Sequence, residues 1–369
     1  MATIRGLITA TEIEPDDVER ILRRADELGV ELVHSPAPET GDLLAVLEQY
    51  PDTEVMLSDF LPNVRGAEST YAFGRTGGDD AGDRAAEQEV LDRIERLRWV
   101  QLPSVGVNQE HSSVTWRHAP QVAVTTASGL ASTAMAQYVT ASILFHAHRL
   151  WRLGQYREVR DWSVRSGFQP QILIGRTLGL LGYGGVGRRA AHIAHTLGMR
   201  VLAVRRQPGR PAAEQFRLPE VDALDQGAEP AEIVGIDQLD RVLSESDFFV
   251  TAVPLTDQTR GIIGARELAL LPAGAVVINV GRGPLIDERA LILALKSGRL
   301  GGASLDVFDP EPLPASSPLW EMPNVMVTPH VSGTHDRVSR YTSDLFLTNL
   351  ERYLQDKPLL NLADRDRGY

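Results

Sequence analysis

The run Thr177–Gly198, TLGLLGYGGVGRRAAHIAHTLG, limits the possible fold more than any other part of the chain. Leu178, Leu180 and Leu181 form a short apolar run that reaches Gly182-Tyr183-Gly184-Gly185-Val186-Gly187. Val186, Ala190, Ile193, Ala194 and Leu197 then recur at helical spacing, and Gly198 is placed to end the helix. Strand, glycine turn and helix in that order suit the pyrophosphate of a dinucleotide. One glycine makes the tight turn, the next lets backbone approach the phosphates, and the last lets helix and strand pack closely. The phosphate charge then meets N–H groups at the positive end of the helix. With the strands and helices that alternate after it, this segment points to a parallel sheet with helices on both faces.

The 369 residues leave room for two or three domains with buried cores, and 43% hydrophobic with 23% charged residues is an ordinary globular balance. A formal charge of -12 argues against nucleic acid, which needs a basic face, and reads more simply as a solvated acidic surface. There is no cysteine, so disulfides, thiolate metal sites and a cysteine nucleophile are excluded. The opening MATIRGLITATEIEPDD carries acids early, and no apolar run approaches the roughly 18 residues of a membrane span. The expectation is a cytoplasmic protein with no membrane, nucleic-acid or metal partner.

Alternating strands and helices are expected along the chain. In the first part these are strands at 4–9, 30–34, 55–58, 99–102 and 122–124, with a helix over 14–28 that Gly29 ends. The segment from Arg65 to Asp83 reads as a glycine-rich surface loop, and 133–155 as one long helix bridging two lobes. Farther on, strands are expected at 199–204, 248–253, 275–280, 303–307 and 325–328. Helices are expected at 237–244, 288–296 and 336–354, and Gln207–Gly235 reads as a loop or hairpin insertion.

Three further motifs lie at the ends of expected strands, where open parallel sheets bind ligands. In Asn279-Val280-Gly281-Arg282-Gly283 an arginine between glycines can fork onto a carboxylate, or can simply be a surface turn. In Asp306-Val307-Phe308-Asp309-Pro310-Glu311-Pro312-Leu313 the prolines stop any helix and hold Glu311 in an extended loop, where it is otherwise an exposed acid. Thr328-Pro329-His330-Val331-Ser332-Gly333 closes a strand with a histidine, which alone is more often packing than chemistry. Together they suit hydride transfer at a carbonyl. Arginine grips a carboxylate, and histidine, whose charge changes near neutrality, exchanges the proton while a carboxylate orients it.

In that order and spacing the motifs resemble the D-isomer-specific 2-hydroxyacid dehydrogenases, a family that includes glyoxylate/hydroxypyruvate reductases, phosphoglycerate dehydrogenases and formate dehydrogenases. Arg282 precedes Glu311 by 29 positions and His330 follows 19 later. The resemblance covers about 95–335 well and the first ninety residues only by pattern. It implies an α/β protein of two doubly wound parallel-sheet lobes. Residues 136–335 would be a Rossmann dinucleotide-binding domain, and 1–135 with 336–369 a flavodoxin-like substrate domain, with the site in the cleft between them. It further implies His330 as general acid/base, Glu311 as its partner and Arg282 on the substrate carboxylate. Asp306 would lie by the nicotinamide carboxamide. Gly182, Gly184, Gly185, Val186 and Gly187 would meet the pyrophosphate, and Val253, Pro254, Thr259, Val280, Gly281, Arg282, His330, Ser332 and Gly333 would line the cofactor site. Ser104, Val105 and Gly106, with Val107, resemble the family's loop whose N–H groups meet the substrate carboxylate. A homodimer is implied too.

The chain departs from the pattern in two places. A site that prefers NAD carries an acid after the second strand, whereas MRVLAV ends here in Arg205-Arg206, 18 residues past Gly187. Arginine cannot accept the ribose hydroxyl's hydrogen bond but can pair with a 2′-phosphate, so NADP is expected over NAD. Gln137 stands where the family commonly has glutamate, at a position that reads as structural. The expected activity is reduction of a small 2-oxo acid, such as glyoxylate or hydroxypyruvate, to a D-2-hydroxy acid. A non-catalytic dinucleotide sensor or corepressor is the alternative of a different class. Within enzymes, a dehydrogenase of formate, phosphite or a larger hydroxy acid remains open. Tyr71, Phe73 and Trp116 either line the substrate pocket or belong to core or surface.

Overall fold

The computed structural model of the chain describes residues 4–64, 81–107, 110–111, 113–160, 162–165, 168–208, 216, 218 and 232–367. The chain divides into two compact units. One holds Met1–Ala131, Ala213–Leu218 and His335–Tyr369, and the other holds Ser132–Ala212 and Pro219–Thr334.

The first unit is built on five parallel strands in the order β2-β1-β3-β4-β5: β1 (Arg5–Ile8), β2 (Glu31–His34), β3 (Val55–Leu57), β4 (Trp99–Gln101) and β5 (Ala123–Thr125). This is the flavodoxin-like order. Helix α1 (Pro15–Glu27) shows why such segments are helical. Pro15 starts it, Asp16 and Asp17 sit in the positive first turn, and Val18, Ile21 and Ala25 form its buried stripe. The C-terminal helix Val338–Leu354 belongs to this unit and places Phe346 against Trp99, ring centroids 5.1 Å apart.

The second unit carries seven parallel strands in the order β12-β11-β10-β9-β6-β7-β8. They are β6 (Thr177–Leu181), β7 (Arg200–Val204), β8 (Glu232–Val234), β9 (Phe248–Thr251), β10 (Val276–Asn279), β11 (Gly302–Leu305) and β12 (Val325–Val327). Strands β6, β9, β10 and β11 are buried along their whole length. That explains why they read as continuous apolar runs: helices cover both faces of a parallel sheet. The strand order reverses between β6 and β9, which makes their carboxyl ends the natural ligand crevice.

Several sequence expectations need correction. Residues 133–155 do not form one helix: one helix spans Ser132–Ala147 and another Leu150–Val159, with Arg149 left-handed at φ 50° between them. The break follows from competition, because the Ala147 carbonyl accepts its hydrogen bond from the Gln171 N–H at 2.8 Å. The glycine-rich loop ends earlier than expected, since 81–83 already belong to a helix, Ala81–Arg93, whose end is anchored by buried Val90 and Ile94. Its remaining residues, 65–80, with Tyr71 and Phe73, lie outside the described residues. Within 207–235, Glu232–Val234 is neither loop nor hairpin but the parallel edge strand β8. Three residues with an exposed glutamate give no apolar run to detect. Most of the rest of that insertion lies outside the described residues. Helices over Thr40–Gln49 and Ala265–Leu270 were not expected at all.

Candidate active site

The glycine turn sits where β6 ends. Gly182 has φ 111°, a left-handed conformation that L side chains rarely adopt, and a Cβ there would lie 2.5 Å from the Ala252 carbonyl oxygen. A Cβ on Gly187 would collide with the carbonyl of Gly182. Gly184 is the N-cap of the helix Gly185–Thr196 and faces open space, with no side chain to cap the N–H groups of that first turn. The turn is thus closed on its protein side and open on its outer side, a cradle into which pyrophosphate fits. The neighbouring strand ends close the row. A Cβ on Gly182 would lie 2.9 Å from Val253 Cγ1, and one on Gly281 3.1 Å from the Val253 carbonyl oxygen. Thr259 braces the adjoining turn, donating to the Pro254 carbonyl at 2.8 Å and accepting from the Thr256 N–H at 2.8 Å.

Arg282 stands at the tip of β10, and its backbone is set by Asn279, which is 2% exposed. The Asn279 Oδ1 accepts from Thr251 Oγ1 at 2.7 Å and from the Gly281 N–H at 3.1 Å, while its Nδ2 donates to the Arg282 carbonyl at 3.0 Å. These three bonds also fix the orientation of the amide. The Arg282 Nη1 donates to the Gly281 carbonyl at 2.8 Å. Next in the chain, Gly283 lets this turn rest directly on the 306–311 loop, since any Cβ would overlap the Phe308 carbonyl.

Glu311 and His330 meet. One Glu311 oxygen accepts from the Phe308 N–H at 2.9 Å, and the other lies 2.9 Å from His330 Nδ1. Burial pushes the Glu311 carboxyl up, but the bonds from His330 and the Phe308 N–H, with the nearby charges of His330 and Arg282, hold it below the usual carboxylate range. An anionic carboxylate therefore faces the imidazole. His330 itself is left-handed at φ 57°, a strained conformation for a residue with a Cβ.

Asp306 overcomes that strain. Its carboxylate is wholly buried and accepts from Thr328 Oγ1 at 2.6 Å and from the N–H groups of Val331 and Ser332 at 2.8 Å each. Its carbonyl accepts from the His330 N–H at 2.9 Å. Asp306 thus brackets the histidine on both sides in sequence, a bracing task that sequence reasoning missed. Asn279 and Thr328 were missed as well, although both stand inside motifs already singled out. Tyr138, whose hydroxyl lies 2.7 Å from Thr328 Oγ1, gave no signal, being a lone tyrosine on a helix 190 positions away.

The other expected residues are placed as follows. Val280 is buried, Val253 and Gly333 are half-buried, and Pro254 is exposed. Gly185 and Val186 open the first turn of the glycine helix. Arg205 follows β7, its N–H donating to the Val234 carbonyl of β8 at 2.9 Å, and Arg206 is exposed beside it. In the other unit, Ser104, Val105, Gly106 and Val107 follow β4, with the Ser104 Oγ donating to the Gly106 carbonyl at 3.1 Å. Trp116 packs in that unit's core, with the Arg365 guanidinium 5.1 Å from its ring.

The family model for the D-isomer specific 2-hydroxyacid dehydrogenase NAD-binding domain matches residues 140–332, more than half of the chain. The match spans the glycine turn, Arg282, Glu311 and His330. This chain belongs to the D-isomer specific 2-hydroxyacid dehydrogenases. It is 30% identical to a glyoxylate reductase from Aeropyrum pernix, over 88% of this chain and 93% of that protein. It is 34% identical to glyoxylate/hydroxypyruvate reductase B from Yersinia enterocolitica, over 68% and 72%. A solved member from Xanthobacter autotrophicus Py2, in complex with NADPH and MES, covers all of both chains with a TM-score of 0.74 at 26% identity. As a family member the chain is a nicotinamide-dependent oxidoreductase of 2-hydroxy acids, and its glycine cradle fits the dinucleotide. Among the described residues, no helix is long and apolar enough to cross a membrane.

Proposed function

We propose that this dehydrogenase reduces small 2-oxo acids, with glyoxylate and hydroxypyruvate the leading substrates, to D-2-hydroxy acids using NADPH. The observation that carries the reading is the Glu311–His330 pair, 2.9 Å apart, with the charge of Arg282 acting on the same carboxylate. The bound dinucleotide supplies the hydride.

The chain's own residues do the rest. Glu311 engages Nδ1, so proton exchange with substrate runs through His330 Nε2, and the anionic carboxylate stabilises the imidazolium that donates the proton. Arg282 grips the substrate carboxylate and offsets charge developing on the carbonyl oxygen. The N–H groups of Ser104, Val105 and Gly106 serve substrate binding, with residues 1–135 and 336–369 acting as substrate domain and 136–335 as dinucleotide domain.

Gly182, Gly184, Gly185, Val186 and Gly187 hold the pyrophosphate, and Val253, Pro254, Thr259, Val280, Gly281, Ser332 and Gly333 line the remainder. Asp306 serves the nicotinamide end through the loop it fixes. Arg205 and Arg206, after the second strand of the sheet, favour a 2′-phosphate. NADPH in the Xanthobacter relative supports this choice, and the names of the two reductases support the substrate class. The exposed Trp162, Ile172 and Ile174 favour pairing of two copies in a homodimer. The need for a pool of reduced dinucleotide favours the cytoplasm.

An initial-rate screen of 2-oxo acids with NADPH and NADH in parallel tests the reading. Turnover of glyoxylate or hydroxypyruvate with NADPH is expected. Tight dinucleotide binding without turnover of any acid would return the chain to the sensor or corepressor reading.

A further inference from the structure

We propose that Tyr138 is a positioning residue for His330, acting through a relay of two hydroxyls that ends on the carboxylate bracing the histidine loop. The inference rests on the acid–base reading of His330 and adds a residue from outside the strand-end motifs.

The relay has a definite direction. Asp306 accepts from two backbone N–H groups, and its Oδ1 lies 2.6 Å from Thr328 Oγ1. A carboxylate in that role accepts only, so the single proton of the Thr328 hydroxyl points to Asp306. The Thr328 oxygen must then accept at its other contact, and Tyr138, 2.7 Å away, donates. Burial, reinforced by the charge of Asp306, pushes the Tyr138 hydroxyl up to about 12, so it keeps the proton it donates.

The location gives the relay its effect. Tyr138 stands on the helix Ser132–Ala147, whose neighbouring Ala136 and Val139 are wholly buried in the core beneath β6 and β9. The chain Tyr138–Thr328–Asp306 therefore ties a rigid helix to a loop that must keep His330 at φ 57°. A carboxylate polarised by a donating hydroxyl holds one preferred geometry, and hydrogen-bonded chains strengthen one another at low dielectric. Small displacements of a catalytic group cost rate far more than binding.

Steady-state kinetics of the full-length Tyr138→Phe, Thr328→Val and double variants test the relay, using the best 2-oxo acid from the screen with NADPH. Tyr138→Phe is expected to lower kcat about tenfold while KM and the NADPH Kd move by less than about twofold. Thr328→Val should cost at least as much, Thr328→Ser should restore most of the rate, and the double variant should be no slower than Thr328→Val. In a His330→Asn background the Tyr138 change should have no further effect. A Tyr138→Phe enzyme with normal kcat, even if its Tm falls, overturns the relay, as do losses that multiply in the double variant. Retained turnover in His330→Asn alone would instead overturn the acid–base reading on which the relay depends.

Discussion

At the carboxyl end of the seven-stranded sheet, buried polar side chains hold backbone so that charged groups are presented in a fixed geometry. At the corresponding end of the five-stranded sheet they hold backbone only to shape a loop. In the first case Asn279 sets the Arg282 turn and Asp306 sets the His330 loop, and both anchors are at most 2% exposed. In the second, Glu110 binds the Leu61 N–H, Asn63 binds the Val114 N–H, and Thr115 donates to the Pro62 carbonyl. The loop they fix, 58–64, carries one ionisable side chain, Asp59, which accepts from Thr11. Similar parallel scaffolds thus hold different things: one end fixes the paired Glu311 and His330 side chains, while the loop 58–64 of the other is fixed mainly as main chain. The difference follows from what is anchored, since both sheets are parallel with their polar loops after the strand ends.

Removing the presented groups should therefore hurt activity much more than disturbing the shaped loop. His330→Ala is expected to lower kcat by about 10³-fold with NADPH binding intact, measured by turnover beside a fluorescence titration. Normal turnover would break the contrast outright. Gly283→Ala comes next, because its new Cβ overlaps the Phe308 carbonyl and must part the Arg282 turn from the Glu311 loop. A loss of about 10²-fold in kcat/KM is expected, and unchanged kinetics would show that this contact does not set the site.

Glu311→Gln should reduce kcat about tenfold or more. Its effect on stability has a definite sign. The Glu311 carboxyl is held low in the folded state, so its stabilisation is present above the ordinary carboxylate range and is lost as pH falls through the folded value. The Tm gap between wild type and Glu311→Gln should accordingly close on acidification, and a gap that widens would contradict the pairing. A smaller effect is expected of Arg205→Ser with Arg206→Ser, which should lower the NADPH-over-NADH preference by about tenfold in kcat/KM without abolishing turnover.

The smallest effect belongs to the shaped loop. Burial raises the Glu110 carboxyl to about 7, opposed only by its bond to the Leu61 N–H. Because the folded state holds that proton more tightly, stability from this group is fullest below the ordinary carboxylate range and declines as pH rises towards about 7. Glu110→Gln should flatten that slope, changing Tm by the order of 1–2 °C at neutral pH with kcat little altered. A large fall in kcat would erase the distinction between the two sheet ends.

Much of this was readable locally. The buried strands announce themselves as apolar runs because both faces are covered, and the turn after β6 needs glycine for its φ and for its close approach to neighbouring backbone. Arg282, Glu311 and His330 were legible because each stands beside a strand end inside a distinctive short motif. Strand β8 was not, being three residues at a sheet edge. The helix break at Arg149 was hidden too, because its cause is a hydrogen bond from Gln171.

The sequence alone determined the α/β class, the glycine turn after β6 and which ionisable side chains stand at the strand ends, since each depends on residue type and short-range spacing. Tertiary structure alone decided that Glu311 faces the Nδ1 of His330, that Asp306 braces the loop from inside, and that Tyr138 reaches it through Thr328. Hydrogen bonds act over about 3 Å whatever the separation along the chain, so partners 19, 22 and 190 positions apart carry no local pattern that could reveal them.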